Sequence, residues 1–224
     1  MTTLLGIQAR TNSSRLPGKM LMPFGCQSLA HFVMNRCSLL NKVVDHVVLL
    51  TSEESTDDEL VQLISRSGFE VFRGSLDNVL LRYIDCANYY GAKTIIRVCG
   101  DSPFVDLDMI TKMLHQVDNG FDYICFAPDG NVAGFDSEVV RVESLVKSLN
   151  STNSPGDLEH VTPYIRNSSE FKKLKIKAYN LPAKTNLSLT VDDQESYEFA
   201  LKVLGHLKDP VKFKSKDILK WILS

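Results

Sequence analysis

Strand-like and helix-like patterns alternate from the start of this chain, and that alternation is the strongest constraint on its fold. Thr3–Gln8 (TLLGIQ), His46–Thr51 (HVVLLT) and Thr94–Cys99 (TIIRVC) are continuous apolar runs, the pattern of strands buried on both faces. Between them Leu29, Phe32, Val33, Cys37 and Leu40 share one helical face, as do Leu60, Leu63 and Ile64, and then Val79, Leu80, Tyr83 and Ala87. Thr56 and Glu59 have the S/T-x-x-E spacing that predicts a capping box at the start of the second helix. Glu70–Phe72 reads as a short strand and Asp122–Ala127 as a longer one, separated by a helical face on Met109, Ile110, Met113, Leu114 and Val117. This rhythm predicts an α/β fold, a mostly parallel sheet with helices on both faces. Such sheets bind ligands at the carboxyl ends of their strands, near a topological switch point.

The rhythm loosens after Ala127. Pro128–Asn131 and Gly134 are turn chemistry, Phe135–Val140 reads as a strand, and Ser151–Gly156 is a polar loop before a helix bearing Leu158, Val161 and Ile165. Strands are expected at Leu174–Tyr179 and Leu187–Val191, then a helix on Tyr197, Ala200, Leu201 and Leu204 and a short last one on Ile218, Leu219 and Ile222. With no internal repeat and no linker, residues 1–224 are expected to form a single domain with a less regular subregion around residues 127–180.

Composition excludes more than it proposes. A formal net charge of −2 gives no global attraction to nucleic acid or to a membrane surface. No segment approaches the ~18 apolar residues that span a bilayer. The five cysteines are scattered without a C-x-x-C pair, which argues against a disulfide framework or a zinc site and fits a reduced, cytoplasmic compartment.

The local distribution of charge is more informative. Before Asp45 the chain carries Arg10, Arg15, Lys19, Arg36 and Lys42 but no acid. Three of these cations lie in the loop Gln8–Lys19 (QARTNSSRLPGK), directly after the first strand, where backbone N–H groups and cations suit a polyphosphate. The loop matches neither a Walker A nor a G-x-G-x-x-G fingerprint, and a solvated basic loop is the competing reading. Two acidic features also end apolar strands. Asp101 in Gly100-Asp101-Ser102-Pro103 and Asp192 in Thr190-Val191-Asp192-Asp193 together offer the two carboxylates of a triphosphate-bound magnesium site. Asp101 alone also suits an Asx turn, and Asp193 suits the cap of a helix beginning near Gln194.

These residues resemble the cytidylyltransferase family that includes the spore-coat polysaccharide and acylneuraminate enzymes. The resemblance begins with QARTNSSRLPGK and continues through Phe72-Arg73-Gly74-Ser75, Asp77-Asn78-Val79-Leu80 and Arg97-Val98-Cys99-Gly100-Asp101-Ser102-Pro103. It runs on through Gly134-Phe135-Asp136-Ser137-Glu138-Val139, Glu159-His160-Val161-Thr162-Pro163-Tyr164-Ile165-Arg166 and Leu189-Thr190-Val191-Asp192, so it covers the chain from Ile7 to about Phe199. It implies a Rossmann-like nucleotidyltransferase fold of the glycosyltransferase-A kind and transfer of CMP from CTP to a small acidic acceptor, a sugar acid or a phosphorylated metabolite, with magnesium. By position Arg10, Arg15 and Lys19 would hold the triphosphate, with Ala9 beside the nucleotide and Arg73 and Ser75 in the nucleoside pocket. Asp101 and Asp192 would be the metal ligands, Arg15, Lys19 and Asp101 the catalytic set, and Asp136, Glu138 and His160 neighbours of the acceptor. Relatives are often dimers, which makes the region from Ala127 to Asn180 an expected homodimer surface. Asn12 stands where the family often has Gly, and a left-handed backbone there would suit it. Asp193 stands where the family usually has Thr, leaving two adjacent aspartates as candidates for the metal. A non-catalytic nucleotide-binding module, and an enzyme using another nucleoside triphosphate, are the alternatives.

Overall fold

The computed structural model describes residues 2–128, 131–179 and 187–224. In the first half, β1 (Thr3–Gln8) leads into a small hairpin of β2 (Pro23–Phe24) and β3 (Gln27–Ser28). There follow α1 (Leu29–Ser38), β4 (His46–Ser52), α2 (Asp58–Arg66), β5 (Glu70–Gly74), α3 (Val79–Tyr90) and β6 (Thr94–Cys99). The second half carries α4 (Leu107–Leu114), β7 (Tyr123–Phe126), β8 (Glu138–Arg141), α5 (Val142–Ser151), α6 (Pro155–His160) and α7 (Pro163–Asn167). It ends with β9 (Lys173–Ile176), α8 (Gln194–His206) and α9 (Ser215–Ile222).

Among the described residues seven strands form one sheet in the order β5-β4-β1-β6-β8-β7-β9. All neighbours are parallel except β8, which runs antiparallel to both β6 and β7. The chain builds outward from β1 through β4 to β5, then returns to lay β6 on the other side of β1. The topological switch point therefore lies between the carboxyl ends of β1 and β6.

The apolar strands serve two cores because successive side chains face opposite ways. Leu5, Ile7, Leu49, Ile96 and Val98 pack under α1, α2, α4, α8 and α9, whereas Leu4, Val48, Leu50 and Ile95 pack under α3, α5 and α7. Gly6 has a packing reason: a Cβ there would lie 2.6 Å from the Tyr83 ring, whose hydroxyl donates to the Gly6 carbonyl at 3.1 Å. Side-chain caps start several helices, with Asn78 Oδ1 accepting from Leu81 N–H at 2.8 Å and Asp193 Oδ1 from Ser196 N–H at 2.9 Å.

Four local expectations change. The Thr56/Glu59 capping box does not form; Ser55–Asp57 is a single 3₁₀ turn and Asp57 turns inward toward buried donors instead of capping α2. The segment Leu187–Val191 is not a strand but makes one bridge, between Ala133 and Ser188, because its donors reach loops: Leu189 N–H bonds Ala133 O and Val191 N–H bonds Asp101 O, both at 2.8 Å. The strand expected from Phe135 starts only at Glu138, after the left-handed turn at Gly134 (φ 95°). The helix bearing Leu158, Val161 and Ile165 is broken in two at Val161. Of the Pro128–Asn131 turn, Asp129 and Gly130 lie outside the described residues. No helix among the described residues is long and apolar enough to cross a membrane.

Candidate active site

The carboxyl ends of β1 and β6 can approach closely because Gly100 has no side chain. A Cβ there would lie 2.9 Å from Ala9 Cβ and 3.0 Å from both Gln8 O and Met20 Cε. Above this contact opens a cleft of about 340 Å³, within the range of small-molecule sites. Ala9, Arg10, Arg15, Lys19, Asp101 and Asp192 all line it. Arg15 and Asp192, for example, are 177 positions apart in sequence, and the switch point brings them together.

Lys19 is the centre of the arrangement. Its side chain is only 10% exposed, and its ammonium donates to Val191 O at 2.7 Å and Asp101 Oδ2 at 3.1 Å, with Asp192 Oδ1 at 3.7 Å. Arg15 reaches the same Asp192 oxygen at 2.7 Å while keeping most of its side chain in solvent. Arg10 is paired at 3.1 Å with Glu159 at the end of α6. The acid-free opening segment is thus matched by acids from β6, α6 and the start of α8. Asp193 faces away to cap α8, so Asp192 is the member of the pair in the cleft.

Asp101 and Asp192 converge on one point, since a single ammonium lies within 4 Å of both. Two carboxylates facing one point are an all-oxygen donor pair of the kind magnesium takes when phosphates complete its shell. Among the described residues no three His, Cys, Asp or Glu side chains gather as metal donors. A cation held here would therefore draw its remaining ligands from substrate and water.

The loop's own shape depends on Asp57, which the sequence pattern does not single out. This carboxylate is 1% exposed and accepts from Thr11 N–H at 2.7 Å, Thr51 Oγ1 at 2.8 Å and Ser52 N–H at 3.1 Å, as well as from Ser52 Oγ. Burial works against its charge, but hydrogen bonds from Ser52, Thr11 and Thr51 outweigh it and hold the pKa below the ordinary carboxylate value. The left-handed residue of the loop is Gly18 (φ 72°) and not Asn12. Asp57→Asn places an amide N–H against buried donors and is expected to cost about 1–3 kcal/mol. The check is a lower urea midpoint together with faster exchange of the Thr11 amide.

Two members of the expected nucleoside pocket are engaged elsewhere. Arg73 pairs with Asp58 at 2.7 Å and donates to Ser52 O and Glu54 O, both at 2.9 Å, which staples β5 to the end of β4 and leaves it outside the cleft lining. Ser75 Oγ accepts from Asn78 N–H at 3.0 Å and Ser75 O accepts from the Arg82 guanidinium at 3.0 Å. Arg82, with Leu76 and Val79, lines the cleft instead. A sequence signal for Arg82 was absent because it lies mid-helix among core residues.

The three acceptor candidates separate into two places. His160 lines the first cleft, whereas Asp136 and Glu138 line a second one of about 400 Å³ beside Ser137, Arg166 and Lys175. The Ser137 hydroxyl, in a residue 4% exposed, and Asn131 Oδ1 are buried beside it with no hydrogen-bond partner among the described residues. Glu138 itself is fully engaged. Arg97 donates to Oε2 at 2.7 Å, Thr162 Oγ1 lies 2.9 and 3.1 Å from the two oxygens, and Tyr123 donates to Oε1. Burial opposes the Glu138 charge, yet Arg97 and these hydrogen bonds hold its pKa down. Asp136 moves the other way, pushed up by desolvation despite backbone N–H donors. Because Arg97 lines the first cleft and Glu138 the second, their ion pair is a border that the two clefts share.

Comparison with known proteins shows what the whole chain is similar to. The cytidylyltransferase family profile matches residues 6–218. The chain is 36% identical over 201 residues to the spore coat polysaccharide biosynthesis protein SpsF of Bacillus subtilis, covering 86% of this chain and 82% of the relative. It superimposes on a cytidylyltransferase from Leptospira borgpetersenii with a TM-score of 0.92 at 29% identity, covering 100% of this chain and 94% of the other. It shares the fold of a CMP:2-keto-3-deoxy-manno-octonic acid synthetase solved in complex with CTP, with a TM-score of 0.68 at 16% identity over 92% of this chain and 99% of that one.

Proposed function

The chain belongs to the cytidylyltransferase family, and from that premise we propose that it transfers CMP from CTP to a small acidic acceptor and releases pyrophosphate. The observation that carries this reading is the Lys19 ammonium seated between Asp101 and Asp192 at the switch point, with Arg15 beside it. An acceptor oxygen forms the new bond to the α-phosphorus as the bond to the bridging oxygen of the β-phosphate breaks; the electron pair leaves with pyrophosphate, and the proton of a hydroxyl acceptor passes to water. Charge spreads over phosphoryl oxygens in such a transfer, so positioned cations do most of the catalytic work.

In this reading Arg15 and Lys19 bind the triphosphate and stabilise the departing pyrophosphate, and Arg10 is held toward it by Glu159. Ala9 and Gly100 keep the floor of the cleft small enough for the nucleotide to lie against backbone. Asp101 and Asp192 are the residues that would hold magnesium, which supplies charge neutralisation at the phosphates when bound. In this reading the acceptor occupies the second cleft, where Arg166 and Lys175 suit an anion and the Ser137 and Asn131 oxygens, without partners among the described residues, suit hydroxyl donors. An acceptor bearing both features, such as a sugar acid, fits better than a bare phosphate monoester. Pairing of two copies belongs to the same reading, with β9 as an edge strand beside this cleft.

A pyrophosphate-release screen tests it: CTP, UTP, GTP and ATP, each with magnesium, against sugar acids, phosphorylated metabolites and phosphonates. The expected result is release with CTP and one sugar acid class. Binding of CTP without release under any acceptor would identify a non-catalytic nucleotide-binding module, and release with another nucleotide alone would move the base assignment.

A further inference from the structure

Val161 has φ 72° and ψ −51°, and it is the only non-glycine residue with positive φ among the described residues. The Thr162 N–H donates to the His160 carbonyl at 2.8 Å across it. A three-residue turn with this bond and these angles is the rare γ-turn of the strained hand. Its central residue here is β-branched and 1% exposed, for which a positive φ is a true outlier. Strain of this kind persists only where the surroundings over-determine it.

Three things do so. The Val161 side chain is buried with Leu145, Ile165 and Phe171 in the core beneath α3 and α5. Pro163 begins α7 and cannot continue α6, so the chain must turn before it. Thr162 is 0% exposed, and its hydroxyl is clamped on Glu138, itself held by Arg97, which also donates to Gln8 Oε1 at 2.9 Å. The turn immediately follows Glu159 and His160, the two α6 residues that line the nucleotide cleft. Helix α6 has no buried residue of its own, so these contacts fix its C-terminal end.

We propose that Thr162 and Val161 are positioning residues: the clamped γ-turn sets Glu159 against Arg10 and aims His160 into the nucleotide cleft. The inference rests on the CTP reading of that cleft. Glu138, expected near the acceptor, acts through Thr162 in this arrangement and ties the turn to the border that the two clefts share.

The test is Thr162→Val, which keeps shape and loses the hydroxyl, alongside Thr162→Ser, which keeps the hydroxyl. Hydrogen exchange of residues 158–166 and CTP affinity with magnesium are measured at a temperature where each variant is folded. Thr162→Val is expected to exchange faster by about tenfold or more in that segment and to bind CTP about tenfold more weakly, with both restored in Thr162→Ser. Unchanged exchange, or faster exchange with unchanged CTP affinity, overturns the proposal. If the wild type itself binds no CTP, the nucleotide reading falls and takes this inference with it; if the wild type binds and Thr162→Val binds equally well, only the inference falls. Should Thr162→Val not fold, Val161→Gly carries the same test, since glycine adopts the turn without strain but lacks the buried side chain that holds it.

Discussion

Lys19→Ala is expected to lower pyrophosphate release by about 10²–10³-fold, the loss typical when one preorganised donor to developing phosphoryl or oxyanion charge is removed. Three features of the site make this the largest catalytic effect expected. The ammonium is nearly excluded from water, with its side chain 10% exposed, so its charge is poorly screened. It is the shared partner of Asp101, Asp192 and the Val191 carbonyl, and its removal leaves two carboxylates facing each other without a cation between them. A triphosphate approaching that point would then meet negative charge. Lys19→Arg is not expected to rescue, because a planar fork cannot replace a compact ammonium in a site this enclosed. Asp101→Asn should be similarly inactive while folding normally. Wild-type rates in either variant would remove Lys19 and Asp101 from the active site.

The largest effect on stability is expected from Arg97→Met. Arg97 and Glu138 are each 13% exposed along their side chains and 2.7 Å apart. Removing one member of such a pair strands the other charge in the interior, at a cost of about 3–5 kcal/mol, or roughly 10 °C in Tm for a chain of this size. The pair also sets a pH dependence. The folded Glu138 pKa is depressed by Arg97, Tyr123 and Thr162 against the opposing effect of burial. Stability from this group is therefore fully present above the unfolded glutamate value of about 4.3 and is lost as pH falls through the folded value. Asp57, also depressed, adds a loss of the same sign. In Arg97→Met the folded Glu138 pKa rises, so stability should be lower at neutral pH and fall less steeply on acidification. Urea midpoints from pH 3 to 8 read both effects. Equal midpoints for variant and wild type at pH 7 would show that the pair contributes nothing net.

The expected sheet appears because burial on both faces dictates unbroken apolar strands, and TLLGIQ, HVVLLT and TIIRVC form β1, β4 and β6 where the pattern places them. The polar residues that end β1 and β6 are legible for the same reason: a buried strand must stop where polar side chains begin. Asp57 and Thr162 were not legible, since each acts through a partner remote in sequence, Thr11 and Glu138, and Arg82 was not because it lies mid-helix among core residues. Arg36 shows the opposite error of emphasis. It counts among the cations of the acid-free segment, yet it is 1% exposed, stacks on the Phe213 ring at 3.5 Å, donates to the carbonyls of Val105, Val211 and Phe213 and is not part of the lining of the Lys19 cleft. Burial lowers its pKa to about 10.

The alternation of apolar strands and helical faces was enough to specify a mostly parallel sheet with a cationic loop after β1 and Asp101 after β6, whereas Asp192, expected to end a strand, follows a segment bonded to loops. Tertiary structure alone decided which of those groups meet. The order β4-β1-β6 puts the switch point beside Gly100, and the close approach it permits seats Lys19 between Asp101 and Asp192. It also decided that Asp192 enters the cleft while Asp193 caps α8, and that Glu138 serves Arg97 and Thr162. Local patterns report which residues a strand or helix buries, because burial follows a repeat along the chain. Charge pairing across 82 to 177 residues follows no repeat and depends on where the completed sheet places the loops beyond its strands.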